Sequence, residues 1–125
     1  MNEKLVSKAM VVNAESHFWT VKEVLPDMMA RNNGKGEGHI VSIASVLGLV
    51  GGPYVTDYAA SKGASVLFMD SLRTEMKYLK KNILCTHICP WVINTGMFDG
   101  VNTSSLAYPM LDQNDVVNRI IHAIQ

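Results

Sequence analysis

Ile43-Ala44-Ser45 and, thirteen positions beyond the serine, Tyr58-Ala59-Ala60-Ser61-Lys62 form the stretch from which the rest of the chain is read. Residues 39–44 (His-Ile-Val-Ser-Ile-Ala) are short, β-branched and apolar, which predicts a strand ending at the serine. Residues 45–56 hold Gly48, Gly51, Gly52 and Pro53 and read as a loop. From residue 57 to about 79, Ala60, Ala64, Leu67, Phe68, Leu72, Met76 and Leu79 recur at helical spacing. Lys77, Lys80 and Lys81 close that run, where the helix dipole favours cations. Residues 83–89 predict a second strand, stopped by Pro90. A long helix between two strands makes a βαβ unit, so the strands are expected to be parallel.

Working outward, residues 2–30 predict a helix through Leu5, Ala9, Val12, Phe18, Val21, Leu25 and Met28. Pro26 is expected to kink it or start a new turn. Residues 32–38 (Asn-Asn-Gly-Lys-Gly-Glu-Gly) read as a turn. Residues 91–111 show little periodicity and are expected to form a long loop or lid. Residues 112–125 predict a last helix, with Asp112 as its N-cap. Parallel strands are usually buried on both faces, and two strands make a poor sheet. The expected fold is therefore α/β: a partial doubly wound, Rossmann-like parallel sheet with the N-terminal half of the fold missing. Residues 1–125 are expected to be one incomplete domain.

Composition narrows the function classes. Eleven Lys and Arg balance eleven Asp and Glu, so nothing pulls the chain toward nucleic acid or an anionic membrane. An apolar share of 48% fits an ordinary globular core. Two cysteines cannot staple a domain and suit an intracellular protein. The longest uncharged run, residues 39–56, is broken by glycines and a proline and is no membrane span. The first eight residues lack the apolar centre of a signal peptide. The chain is expected to be soluble and cytoplasmic.

Tyr58 and Lys62 stand four apart on a predicted helix, hence on one face. A phenol at its ordinary pKa of about 10 is too weak an acid to act as a base at neutral pH. A nearby ammonium favours the phenolate, so the pair makes a tunable proton donor and acceptor. Ser45 falls at the C-terminal end of the first strand, the end at which parallel sheets bind ligands. Its hydroxyl can hold an alcohol or carbonyl oxygen beside the phenol. The spacing alone is weak, since a Tyr and a Lys on the wet side of an amphipathic helix give it too.

Together, however, these residues resemble the short-chain dehydrogenase/reductase family: the serine, the gap, the YxASK run and the strand-loop-helix setting all agree. Val11-Val12-Asn13 resembles the family's "VN" helix, and Cys89-Pro90-Trp91-Val92-Ile93-Asn94-Thr95 its "PG-x-V-x-T" segment, with Trp91 where many members have glycine. The resemblance implies a catalytic set of Asn13, Ser45, Tyr58 and Lys62, with NAD or NADP as cofactor. Tyr58 exchanges the proton with the substrate oxygen. Lys62 lowers the tyrosine pKa and bonds the nicotinamide ribose, Ser45 orients the substrate oxygen, and Asn13 holds a water in a proton relay. Tyr58, Lys62, Pro90, Ile93 and Thr95 border the cofactor, the Ile93 backbone and Thr95 at its carboxamide. Ser45 and Met97 meet the substrate.

His17-Phe18-Trp19-Thr20, Leu25-Pro26 and Thr95-Gly96-Met97-Phe98 resemble the subgroup with retinol dehydrogenase 10, the epidermal retinol dehydrogenases and 17β-hydroxysteroid dehydrogenase 11. That resemblance implies a lipophilic, retinol- or steroid-like alcohol or carbonyl as substrate. Full-length members of the subgroup sit at the endoplasmic reticulum membrane or lipid droplets through N-terminal apolar segments. It also implies a homodimer through the helices at residues 2–30 and 57–79, although their apolar faces could serve only to cover the sheet.

The family's Gly-rich cofactor turn, TGxxxGxG, its cofactor selector and its NNAG segment have no counterpart in the sequence. The cluster Gly34-Lys35-Gly36-Glu37-Gly38 follows a helix and precedes a strand, the wrong order for a phosphate cradle, and reads as a turn. The alternative expectation is a non-catalytic chain that lacks the cofactor clamp and associates with full-length subunits. Cys85, His87 and Cys89 share one strand face but lack a fourth ligand, so no metal is expected. Met10, Met28, Met69 and Met76 lie in helical runs and are expected in the core; Met97 and Met110 fall in the lid region.

Overall fold

In the computed structural model of the chain, residues 2–97 and 109–125 are described. The chain divides into two compact units, Met1–Cys89 and Pro90–Gln125. The first unit runs α1 (Glu3–Met10), a π-helical turn (Val11–Glu15), α2 (Ser16–Ala30), β1 (Gly38–Ile43), a 3-10 turn (Val46–Gly48), α3 (Thr56–Tyr78) and β2 (Ile83–Ile88). The second holds α4 (Gln113–Ile124).

β1 and β2 pair in parallel, from Gly38 against Ile83 to Ile43 against Ile88. The 23-residue helix α3 makes the crossover, as the strand-helix-strand pattern predicts. Ile40 and Cys85 face each other in the register and pack against the core. That core is Val21 and Met28 of α2, Met69, Leu72 and Met76 of α3, and Ile83. Each such side chain contributes about 1.5–3 kcal/mol when fully buried. Met28, Met69 and Met76 are thus where the helical spacing puts them. Met10 is not: it is 39% exposed, and no residue of α1 is buried.

Asn2 starts α1 by accepting the Lys4 N–H on its side chain at 3.0 Å. α2 continues through Pro26 to Ala30, so no new turn begins at the proline. The chain leaves α2 through left-handed Asn32, Asn33 and Gly34, at φ 52, 55 and 78°. Lys81 Nζ donates to the Gly34 carbonyl at 2.5 Å and fixes this turn against the start of β2. Gly38, at φ 150°, has a backbone conformation that favours glycine, and a Cβ there, 2.2 Å from Met28 Cε, would make that side chain shift. The Gly34-to-Gly38 cluster is a turn, as its position predicts.

In the second unit Asp112 caps α4 by accepting the N–H groups of Asn114 and Asp115 at 2.8 and 3.3 Å. Ile93 forms a parallel bridge with Leu111, so the stretch 91–111, expected to be loop throughout, contains strand-like pairing. Residues 98–108 of the expected lid lie outside the described residues. Among the described residues no helix is long and apolar enough to cross a membrane.

Candidate active site

Ser45 emerges where the two strands end together. The Ala44 N–H donates to the Ile88 carbonyl at 2.8 Å, carrying the ladder one step past β1. The Ser45 side chain is buried and its Oγ accepts the Leu47 N–H at 3.2 Å, capping the 3-10 turn. That turn lies directly on α3. A Cβ at Gly48 would sit 2.7 Å from the Lys62 carbonyl oxygen, and one at Gly63 would sit 3.4 Å from the Gly48 oxygen. Two glycines therefore bring backbone against backbone beside Lys62.

Tyr58 and Lys62 share the first turns of α3. Asp57 Oδ1 accepts the Tyr58 N–H at 2.9 Å, an acid at the helix start where the dipole favours it. Lys62 Nζ lies 5.8 Å from the centre of the Tyr58 ring and donates to the Ile43 carbonyl at 3.2 Å. Burial holds the Lys62 ammonium below the usual lysine range, and neighbouring Cys89 pulls the other way. Tyr58 is 36% exposed, open enough to meet a ligand.

Asn13 lies within the π turn, a distortion often found at functional sites. Its Nδ2 donates to Ser61 Oγ at 3.1 Å, and Ser61 Oγ in turn donates to the Tyr58 carbonyl at 2.8 Å. Ser65 Oγ donates to the Asn13 carbonyl, with the Ser61 carbonyl 3.1 Å away as an alternative acceptor. Ser61 and Ser65 are wholly buried. Sequence reasoning gave Ser61 no part of its own. The available signal was a pair of serines four apart on the same helix as Met69, Leu72 and Met76.

Two further groups border Lys62. The Cys89 thiol meets the Ser45 backbone N–H; burial pushes it up, and Ser45 and Lys62 partly offset that. His17 places Nε2 2.7 Å from Ser42 Oγ. Burial and the Lys62 charge hold the imidazole below its usual range. Cys85, His87 and Cys89 do share a face: Arg73 acts on Cys85, Asp70 lies 4.0 Å from His87, and Lys62 acts on Cys89. Among the described residues no group of three or more His, Cys, Asp or Glu is placed to hold a metal ion.

The first unit thus gathers Asn13, Tyr58 and Lys62 at the end of β1, with Ser45 two residues beyond the carbonyl that Lys62 holds. Pro90, Ile93, Thr95 and Met97 belong to the second unit. There Leu111 bonds the neighbours of Ile93, donating to Val92 O at 2.8 Å and accepting from Asn94 N at 3.0 Å. The Ile93 N–H consequently points to the other side of its strand. Thr95 N donates to Ile93 O at 2.9 Å, and Met97 is largely exposed.

Comparison with known proteins bears on this arrangement. The family described as short chain dehydrogenase matches over residues 1–105. Short-chain dehydrogenase/reductase family 16C member 6 of Bos taurus is 43% identical over 124 residues, covering 98% of the chain and 38% of that protein. Retinol dehydrogenase 10 of Xenopus tropicalis is 44% identical over 110 residues, covering 87% of the chain and 31% of that protein. The chain thus spans between about a third and two fifths of these relatives. Among solved structures, a short chain dehydrogenase from Burkholderia cenocepacia in complex with NADP superposes with a TM-score of 0.78 at 19% identity. The match covers 98% of the chain and 48% of that structure. A 4-hydroxyisoleucine dehydrogenase complexed with NADH and succinate gives a TM-score of 0.72 at 27% identity, covering 99% and 51%.

Proposed function

The chain belongs to the short chain dehydrogenase family, and on that premise we propose that Asn13, Ser45, Tyr58 and Lys62 form the acid–base apparatus of a nicotinamide-dependent oxidoreductase. Its substrate would be a lipophilic secondary or allylic alcohol, retinol- or steroid-like, or the corresponding carbonyl. The carrying observation is the Lys62 ammonium, 5.8 Å from the Tyr58 ring centre and bonded to the last residue of β1. The names of the relatives that include retinol dehydrogenase 10 support the substrate class.

The residues present fit the nicotinamide end of NAD or NADP. Lys62 donates to Ile43 and has three donors, leaving donors for ribose hydroxyls. The site lies past the C-terminal ends of parallel strands, where such ligands bind. By the family resemblance, Pro90, Ile93 and Thr95 are further cofactor contacts. The cofactor, when bound, supplies or accepts the hydride.

The side chains of the chain supply the proton chemistry. Tyr58 Oη gives a proton to the carbonyl oxygen in reduction and takes one from the alcohol in oxidation. The Lys62 charge stabilises the phenol oxygen when it is negative. Ser45 orients the same substrate oxygen. Asn13, held by Ser61 and Ser65, belongs to the route by which the proton reaches solvent.

Titration of the purified chain with NADH and NADPH, followed by nicotinamide fluorescence, tests the reading. Binding at about micromolar levels supports it. Where turnover is measurable, Tyr58→Phe abolishes it without altering the fold. The absence of binding up to about millimolar cofactor overturns the reading in favour of a non-catalytic chain that pairs with full-length subunits. We place a second copy of the chain against α2 and α3, where Trp19 and Leu67 are exposed; sedimentation velocity tests this, and a purely monomeric chain refutes it.

A further inference from the structure

We propose that His17 is a positioning residue for Lys62, acting through the consecutive β1 residues Ser42 and Ile43; this rests on the role given to Lys62 above. His17 stands one helical turn beyond Asn13, on α2. Its ring meets Phe68 of α3 edge-on, with centroids 6.1 Å apart. Its Nε2 lies 2.7 Å from Oγ of the buried Ser42. The next residue, Ile43, offers the carbonyl to which Lys62 Nζ donates at 3.2 Å. A half-buried imidazole and the site's ammonium thus grip adjacent residues at the end of one strand.

The second ring nitrogen fixes the tautomer. Nδ1 is buried and faces the Ala14 carbonyl, short of hydrogen-bond geometry. A lone pair aimed at a carbonyl oxygen is repelled, so the proton sits on Nδ1 and Nε2 accepts the Ser42 hydroxyl. The neutral ring therefore ties α2 to β1 with a directional bond. Burial and the Lys62 charge favour this neutral form.

Protonation reverses the arrangement. Nε2 becomes a donor, and the Ser42 hydroxyl can no longer donate to it. A second cation then faces Lys62. The groups that act on the ring are the Lys62 charge and Phe68 from α3, Ser42 from β1 and the Ala14 carbonyl of the π turn. Lys62 is accordingly held on Ile43 while His17 is neutral, and the hold weakens as His17 takes up a proton.

The test is NMR of the full chain across about pH 5 to 8, the range in which histidine titrates. It follows the His17 ring Cε1–H, the Lys62 Cε–H and the Ile43 amide. The expected result is that the Lys62 and Ile43 signals shift with the His17 midpoint, and that His17→Gln, neutral throughout, abolishes the shift. Lys62 and Ile43 signals indifferent to the His17 titration overturn the proposal, as does the same shift persisting in His17→Gln. If the variant does not fold, the wild-type comparison decides alone. The oxidoreductase reading is judged separately by cofactor fluorescence, so the co-titration can hold where cofactor binding fails, and the reverse.

Discussion

Asn13 and Ser61, 48 residues apart in sequence, are joined by a 3.1 Å hydrogen bond from Nδ2 to Oγ. The same Ser61 hydroxyl donates to the Tyr58 carbonyl. The π turn of the first helix and the first turn of α3 are thereby locked together beneath the proposed acid–base pair. Ser61→Ala strips Asn13 Nδ2 of its partner in a half-buried place and loses the bond to Tyr58. An orphaned polar group of this kind costs about 1–3 kcal/mol. Urea unfolding of the variant should show a loss of that size, and Ser61→Cys should recover less than half of it.

Gly48 is fixed by the Lys62 carbonyl. A methyl group there would lie 2.7 Å from that oxygen and 2.8 Å from its carbon, both backbone atoms that cannot swing aside. Gly48→Ala should destabilise the chain by about 1–3 kcal/mol, the usual range for overpacking. It should also displace the Lys62 and Ser45 amide signals more than those of Ile83, at the far end of the sheet.

His17 sets the direction of acid sensitivity. Its folded-state pKa lies below the ordinary 6.5. Between these two values the unfolded chain binds a proton that the folded chain does not, so stability rises with pH across that window. Thermal melts should show the midpoint falling as pH drops below about 6.5 and levelling off below the folded value. His17→Gln should flatten this part of the curve.

Cys85 and Cys89 are both pushed up, chiefly by burial. Thiolate is the reactive form, so both should alkylate more slowly than a free thiol. Mass-spectrometric counting of iodoacetamide adducts at mildly alkaline pH should find both residues lagging behind glutathione. Unfolding in urea should remove the lag.

The sheet and its crossover were legible because each depends on local pattern: β-branched residues before Ser45, helical spacing from Ala60 to Leu79, and a proline after β2. The Asp112 cap and the turn at Gly34 were legible for the same reason. Met10 was misplaced because apolar spacing shows which side of a helix could be buried, not whether a partner covers it. The pairing of Ile93 with Leu111 joins residues 18 apart and leaves no local trace.

At the site, the family resemblance pointed to Asn13, Ser45, Tyr58 and Lys62, and the fold places Asn13 two hydrogen bonds from Tyr58, through Ser61. His17 and Ser61 were not legible as parts of it. Their roles depend on which face β1 turns toward α2 and on a contact between helices far apart in sequence. Neither is encoded in any short window.

The π turn at Val11–Glu15 has one more consequence. An α-helix has 3.6 residues per turn, so each residue added or removed swings what precedes it by about 100°. The wider turn works as a one-residue spacer, setting the azimuth of α1 independently of the bearing of Asn13. Deleting a residue of the turn other than Asn13 would regularise the helix and take from the asparagine the bearing that reaches its serine.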